Sequence, residues 1–306
     1  MSGRFLVTGV LGCIGAWTAH VLLDEGVDVV GFDLGDARHR LELVTTPAQR
    51  DRLTLVRGDI TDLDAFERAL DEHEITNVVH LAALQVPFCR ADPVLGARVN
   101  VVGTVNVFEA VKRRRDRIPH VVYASSLAVY GAEDTGGARE RTRPDTHYGV
   151  YKLANEGTAR IYWQDGELPS IGLRPAFVYG PGRDQGITAG PTQAMLAAAR
   201  GEGFRIAFGG TAYYQYAPDV ARALVAASRT DVEGAPVVNL SGTRAHMREV
   251  VDAIEAAAPE AAGRIAFDDV RLPFPETLES DSPIPFEWTP LADGVRETVE
   301  LFRASA

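Results

Sequence analysis

The sequence predicts an α/β fold, a doubly wound parallel sheet with a smaller C-terminal lobe. Three observations carry that expectation. Short apolar runs recur at 5–7, 27–32, 77–81, 121–124 and 170–173 and alternate with longer helix-like segments. Runs of this kind suit parallel strands buried on both faces. Glycines at 9, 12 and 15 stand between the first run and the first helical segment. After residue 180 prolines and glycines multiply and the elements shorten. We therefore expect residues 1–180 to form one domain and 181–306 a smaller lobe, with room for strands to interleave between them.

The chain has 306 residues, 46% of them hydrophobic, enough for a large core in one or two domains. It contains no run of about 18 apolar residues, so no transmembrane helix and no membrane partner are expected. Met1-Ser2-Gly3-Arg4 leads straight into a strand, without the apolar stretch of a signal peptide. Cys13 and Cys89 lie outside any CxxC pair or His/Cys cluster, so neither a disulfide scaffold nor a metal site is expected. This usage fits a reducing cytoplasm. A formal net charge of -11 argues against a nucleic-acid partner. The basic run 112–117 reads as a helix end, its cations facing the negative end of the dipole and solvent.

Taken in order, the first strand covers Phe5 to Val7 and the first helix Ile14 to Glu25. Between them, Gly9 allows a tight turn, Gly12 lets a pyrophosphate approach the backbone, and Gly15 lets the helix pack close to the strand. The N–H groups at the helix start, around Cys13 and Ile14, favour an anion. Three glycines alone define only a turn. The strand before and the helix after make this one a dinucleotide cradle of the Rossmann kind. The second strand, Val27 to Phe32, ends at Asp33, 18 residues after Gly15, where an acid accepts hydrogen bonds from the adenosine ribose. A carboxylate there repels a 2′-phosphate, so NAD is favoured over NADP. Arg38 and Arg40 argue the other way unless they are solvated loop residues.

A third strand, 53–58, runs into Asp59-Ile60, and Thr61-Asp62 start a helix to Leu70. The fourth strand, Asn77 to Leu81, is followed by Ala82-Ala83, small residues where a cofactor passes close to the backbone. Val94 to Arg114 reads as one long helix carrying Asn100. The fifth strand, Val121 to Ala124, ends at Ser125-Ser126. A polar loop spans 131–146, a helix Tyr148 to Trp163, and a sixth strand Ser170 to Leu173. Beyond it come helices at 192–200, 219–229, 248–258 and 291–303, strands at 205–208 and 237–240, and a proline-rich stretch at 272–290. Substrate is expected between the lobe and the nucleotide domain.

Tyr148 and Lys152, four apart on a helix, share one face. An ammonium beside a phenol favours the phenolate, which can exchange a proton with a substrate hydroxyl or carbonyl. Lys152 also reaches towards the nicotinamide ribose. Tyr151 points elsewhere. Ser126, just past a strand whose C-terminal end faces the cofactor, can orient the reacting oxygen, and Ser125 stands beside it.

These pieces resemble an extended short-chain dehydrogenase/reductase of the NAD-dependent epimerase/dehydratase family. The resemblance rests on Thr8-Gly9-Val-Leu-Gly12-Cys-Ile-Gly15, Gly58-Asp59-Ile60, His80-Leu81-Ala82-Ala83 and Asn100-Val-Val-Gly103-Thr104. It continues through Ser125-Ser126-Leu-Ala-Val-Tyr130-Gly131, Tyr148-Gly-Val-Tyr-Lys152 and the segment Leu173 to Arg183, covering roughly residues 3–183. The resemblance implies Tyr148 as acid/base, Lys152 as its partner and Ser126 as the substrate-orienting hydroxyl. It places Asp59-Ile60 at the adenine and Leu81, Ala82, Ala83, Asn100, Tyr148, Lys152 and Pro175 along the cofactor, with Asn100 also supporting the active-site helix. It also implies a homodimer through the helices near 95–114 and 148–163.

Departures from the family pattern bear on substrate. Phe177 stands where members acting on nucleotide-linked sugars carry an asparagine, and Ala212 where they carry an arginine. Both grip a diphosphate, which wants charge-assisted donors. The stretch from Gly182 to Gly210 is short for a nucleotide pocket, and Leu127-Ala128 replace the acidic pair that dehydration needs. The sequence thus favours a dehydrogenase or reductase moving hydride between NAD and a small carbohydrate-like alcohol or ketone, a free sugar or sugar acid. The alternative is a nucleotide-sugar 4-epimerase that regenerates its NAD in place. A non-catalytic dinucleotide sensor is a third class, against which the complete Ser126/Tyr148/Lys152 set argues. Candidates for the substrate pocket are Gln85, Pro87, Phe88, Ser125, Ser126, Phe177, Arg183, Thr188 and Gln215, with Arg183 a candidate partner for a carboxylate.

Overall fold

A computed structural model describes residues 3–131, 142–277 and 286–305. Its twelve strands are β1 Phe5–Thr8, β2 Val29–Asp33, β3 Leu53–Arg57, β4 Asn77–His80, β5 Val121–Ala124 and β6 Ser170–Arg174, then β7 Phe177–Tyr179, β8 Phe204–Ile206, β9 Thr211–Tyr216, β10 Val237–Asn239, β11 Thr243–His246 and β12 Ile265–Phe267. Seven of them form one parallel sheet in the order β3-β2-β1-β4-β5-β6-β10. Between β1 and β4 the direction of winding reverses. The C-terminal strand ends part there and open the crevice in which a doubly wound sheet binds its ligand.

Strand alternation divides the sheet's side chains between two cores. Val7, Val29, Val79, Val122 and Ile171 face the helices Cys13–Asp24 and Ala217–Ala227. Leu6, Val30, Val78, Val121 and Tyr123 face Phe66 of Leu63–Glu72 and Phe108 of Gly103–Lys112, with His147–Gly166 beyond. A third core lies in the C-terminal lobe, where a small sheet β11-β9-β7 and the pair β8-β12 pack under Gly190–Ala199, Met247–Ala257 and Leu291–Ala304.

The described structure adds to and departs from the sequence expectations in several places. The two parts interleave across residue 180: Ala217–Ala227 and β10 complete the first half, while β7 belongs to the small sheet. The strands β7, β9, β11 and β12 are additional to those the sequence predicts. The helix expected over 94–114 is instead Pro93–Ala97, a π-turn at Arg98–Val102, and Gly103–Lys112. The twenty-residue span Pro93–Lys112 is long and apolar enough, by length and composition alone, to cross a membrane. It packs instead beside the helices Leu63–Glu72 and His147–Gly166. The basic run does end a helix at Lys112, with Lys112, Arg113 and Arg115 exposed, and it carries ion pairs as well. Arg113 and Arg114 bind Glu67, while Arg114 and Arg117 bind Asp71, whose carboxyl they hold far below the usual range. The loop expected over 131–146 and the proline-rich stretch 272–290 lie partly outside the described residues.

Candidate active site

The glycine turn has the geometry of a phosphate cradle. Gly9 has φ +67° and donates its N–H to the Phe32 carbonyl of β2. A Cβ at Gly15 would stand 2.1 Å from the Gly9 carbonyl oxygen, so the helix can start this close to the turn only without a side chain. Cys13 and Ile14 line the cleft at the helix start. Burial pushes the Cys13 thiol up to about 11, so it stays neutral beside the anion site. Asp33 accepts hydrogen bonds from Leu11 N at 3.0 Å and Gly35 N at 3.0 Å. Each carboxylate oxygen keeps a lone pair for a ribose hydroxyl. Arg40 is not free to take a 2′-phosphate, because its Nε pairs with Asp184 at 2.8 Å, and Arg38 is exposed. The donor set therefore fits the diol of NAD better than the phosphate of NADP. Asp59, Ile60, Leu81, Ala82, Ala83 and Pro175 continue the wall of one cleft of about 520 Å³.

Behind that wall runs a chain of hydrogen bonds whose direction follows from counting protons. Thr104 Oγ1 donates to the Asn100 carbonyl at 2.7 Å, so it accepts from His80 Nε2 at 3.0 Å. His80 Nδ1 then accepts from Thr8 Oγ1 at 2.8 Å, and that oxygen accepts from Leu81 N and Ala82 N. Burial, with help from the Lys152 charge, holds His80 down at about 3, so the ring stays neutral. The π-turn lets the Asn100 carbonyl serve both Thr104 and Asn155 of the active-site helix. The Asn100 side chain meanwhile clamps the backbone of Leu84 at 2.7 and 2.9 Å. Asn100 thus sits behind the helix rather than lining the cleft. His80 appeared in the sequence only as part of a motif.

Ser126, Tyr148 and Lys152 converge at the C-terminal end of β5. Thr146 caps the helix by accepting from Gly149 N at 3.0 Å, placing Tyr148 in its first turn. Lys152 lies one turn on, its Nζ 5.6 Å from the Tyr148 ring centroid and 2.7 Å from the Ala124 carbonyl it donates to. Burial pulls this ammonium down to about 8. Burial also raises the Tyr148 phenol, while Ser126 and then Arg183 act to lower it. Ser126 and Arg183 thus act to favour the phenolate. Tyr151 points away and donates to the Pro93 carbonyl at 2.8 Å.

Of the substrate-pocket candidates, Gln85, Phe88, Ser126, Phe177, Arg183 and Thr188 line the cleft. Three need correction. Gln215 is fully buried, and its amide is consumed by Ala176 N, Leu240 O and Ser241 O, so it ties β9 to the crossing after β6. Pro87 is exposed on the first turn of Val86–Ala91, outside the cleft wall. Ser125 has its backbone at the wall, but its hydroxyl donates to Glu156. Glu156 also receives Arg174 Nε at 2.8 Å and Nη2 at 2.6 Å, and Arg174 Nη1 reaches Tyr130 OH at 2.7 Å. This buried pair was missed in the sequence, although Glu156 stands one helical turn after Lys152. Phe177 packs edge-on against Phe274 and Tyr214, and Ala212 lies in the lobe core, so both positions at which the resemblance expects diphosphate donors are apolar.

A doubly wound sheet with a glycine cradle at its switch point and a Ser/Tyr/Lys set at the end of the fifth strand defines an extended short-chain dehydrogenase/reductase. The chain belongs to the NAD dependent epimerase/dehydratase family, whose model matches residues 5–241. It is 33% identical over 317 residues to a UDP-glucose 4-epimerase of Mycolicibacterium smegmatis, covering 98% of each chain. The UDP-glucose 4-epimerase of Thermus thermophilus, solved with NAD, superposes with a TM-score of 0.78 at 28% identity over 99% of this chain and 100% of that one. The L-threonine dehydrogenase of Clostridium difficile shares the fold, with a TM-score of 0.83 at 20% identity over 99% and 98% of the two chains.

Proposed function

We propose that the chain is an NAD-dependent 4-epimerase of a nucleotide-linked sugar, inverting one carbinol by oxidising it and reducing it again in place. The likeness to a UDP-glucose 4-epimerase, sustained over 98% of both chains, carries the choice of reaction. It outweighs the free-sugar oxidoreductase that the sequence favoured. The convergence of Ser126, Tyr148 and Lys152 carries the chemistry. NAD, when bound, supplies a hydride acceptor and later returns the hydride. Gly9, Gly12, Gly15 and the N–H groups near Cys13 and Ile14 hold its pyrophosphate, Asp33 its adenosine ribose, and Asp59-Ile60 its adenine. Lys152 holds the nicotinamide ribose, and Leu81, Ala82, Ala83 and Pro175 press along its length. Ser126 orients the substrate hydroxyl, Tyr148 takes its proton and gives one back, and the Lys152 ammonium favours the phenolate between the two steps. Two copies pair through the helices near 95–114 and 148–163, whose outer faces expose Val94, Leu95, Val102, Val150 and Ile161.

A second reading, net oxidation of a small sugar acid or related alcohol, is supported by one observation. Phe177 and Ala212 leave a diphosphate without the donors it needs. Incubation with NAD and two panels separates the readings. Isomers of a nucleotide sugar appearing without net NADH support the epimerase. NADH accumulating with free sugars or their acids, and with no nucleotide sugar, supports the dehydrogenase and overturns the first reading.

A further inference from the structure

Arg183 lines the cleft from the turn after β7, and its charge reaches the Tyr148 phenol. No carboxylate among the described residues pairs with it. Its neighbour Asp184 is turned the other way, to Arg40 and His39. Of the three guanidinium nitrogens only Nη2 has a partner among the described residues, Thr188 Oγ1 at 3.0 Å, and Nε is buried without one. Because Thr188 accepts that bond, its own proton remains available to a ligand. Gln85 closes the same corner, its Oε1 buried without a partner among the described residues. A Cβ on Gly186, at φ +100°, would lie 2.4 Å from Gln85 Oε1 and 3.1 Å from Arg183 Nη2, so the loop passes tightly between the two groups. A half-buried cation with open donors, flanked by a free hydroxyl proton and an unpaired acceptor, is unfavourable until a complementary group arrives.

We infer that Arg183, Thr188 and Gln85 form a subsite for a carboxylate on the substrate, with a sugar hydroxyl other than the reacting one donating to Gln85. Arg183 and Thr188 supply donors for the anion, and Gln85 Oε1 supplies the acceptor that a phosphate group alone would leave unused. The substrate class is therefore a hydroxy acid of the sugar-acid type, either free or as the uronic part of a nucleotide sugar. The inference rests on the proposed Tyr148 chemistry only for which end of the cleft is the substrate end.

Binding rather than turnover tests it, so failure of the proposed reaction leaves a separate trace. The full-length protein, saturated with NAD, is titrated calorimetrically with D-galacturonate against D-galactose and with UDP-glucuronate against UDP-glucose. In at least one pair the acid should bind about tenfold or more tighter than its neutral partner, as expected for charge-assisted hydrogen bonds. Arg183→Gln should bring that ratio to about one while leaving NAD affinity within about threefold, since the charge-assisted bonds lost belong to the substrate. Arg183→Lys, which keeps the charge, should retain part of the preference and serves if the glutamine variant does not fold. An acid preference absent from the wild type, or kept in Arg183→Gln, overturns the inference. So does a loss in Arg183→Gln that falls on NAD instead, because the guanidinium then serves the cofactor pyrophosphate.

Discussion

Replacing Lys152 with methionine should abolish turnover and yet stabilise the ligand-free fold. Lys152 is 5% exposed, and burial pulls its ammonium from 10.5 down to about 8. Between these values the unfolded chain holds a proton that the folded chain has released, so this residue makes stability rise with pH from 8 towards 10.5. Below pH 8 both states are charged and the whole penalty stands. It comes to roughly 3 kcal/mol at pH 7 and about 2 kcal/mol at pH 9. Methionine removes the penalty but leaves the Ala124 carbonyl, now bonded at 2.7 Å, without its donor. That loss costs about 1 kcal/mol, so the variant should be about 2 kcal/mol more stable at pH 7 and about 1 kcal/mol at pH 9. Urea unfolding of both proteins at pH 7, 8 and 9, followed by tryptophan fluorescence, measures the difference while other titrating groups cancel. A variant no more stable than the wild type at pH 7, or a gap that does not narrow with rising pH, refutes the reasoning.

Tyr148→Phe should bind NAD like the wild type and lose turnover by about 10²- to 10⁴-fold, as measured by fluorescence titration and steady-state rates. Gly15→Ala drives a methyl into the Gly9 carbonyl and should cost about 1–3 kcal/mol of stability and weaken NAD binding, read from a melting curve and a titration. Arg174→Met strands the Glu156 carboxylate, 7% exposed, and should cost about 3–5 kcal/mol at pH 8. Urea unfolding of the variant beside the wild type checks it.

The first half of the fold was legible because its strands are buried on both faces and read as apolar runs between helices. Gly9, Gly15 and Asp33 were legible because their conformations and bonds are local. Tyr148 and Lys152 were visible through helical spacing. The lobe was harder. Phe177–Tyr179 is three residues long, too short to carry a period, and Thr211–Tyr216 becomes a strand through its partners on either side. Gln215 looked like a pocket residue because nothing local reveals that Ala176, 39 positions away, claims its amide. The turn at Arg98–Val102 was equally hidden. One extra residue in a helix barely alters an apolar pattern, and the carbonyl it frees is claimed by Asn155, 55 positions away.

The way the second half of the chain repays the first has a consequence for recombination. Ala217–Ala227 lies on Cys13–Asp24, Arg229 pairs with Glu25, and Val237–Asn239 closes the open edge beside Ser170–Arg174. A cut at residue 180 would strip the cradle helix of its cover and leave a bare sheet edge, a template for aggregation. A chimera meant to change substrate while keeping the cofactor site must therefore carry residues 217–239 with the N-terminal half. What can be exchanged is the lobe on either side of that span, so the inheritable unit of this enzyme is discontinuous in the gene.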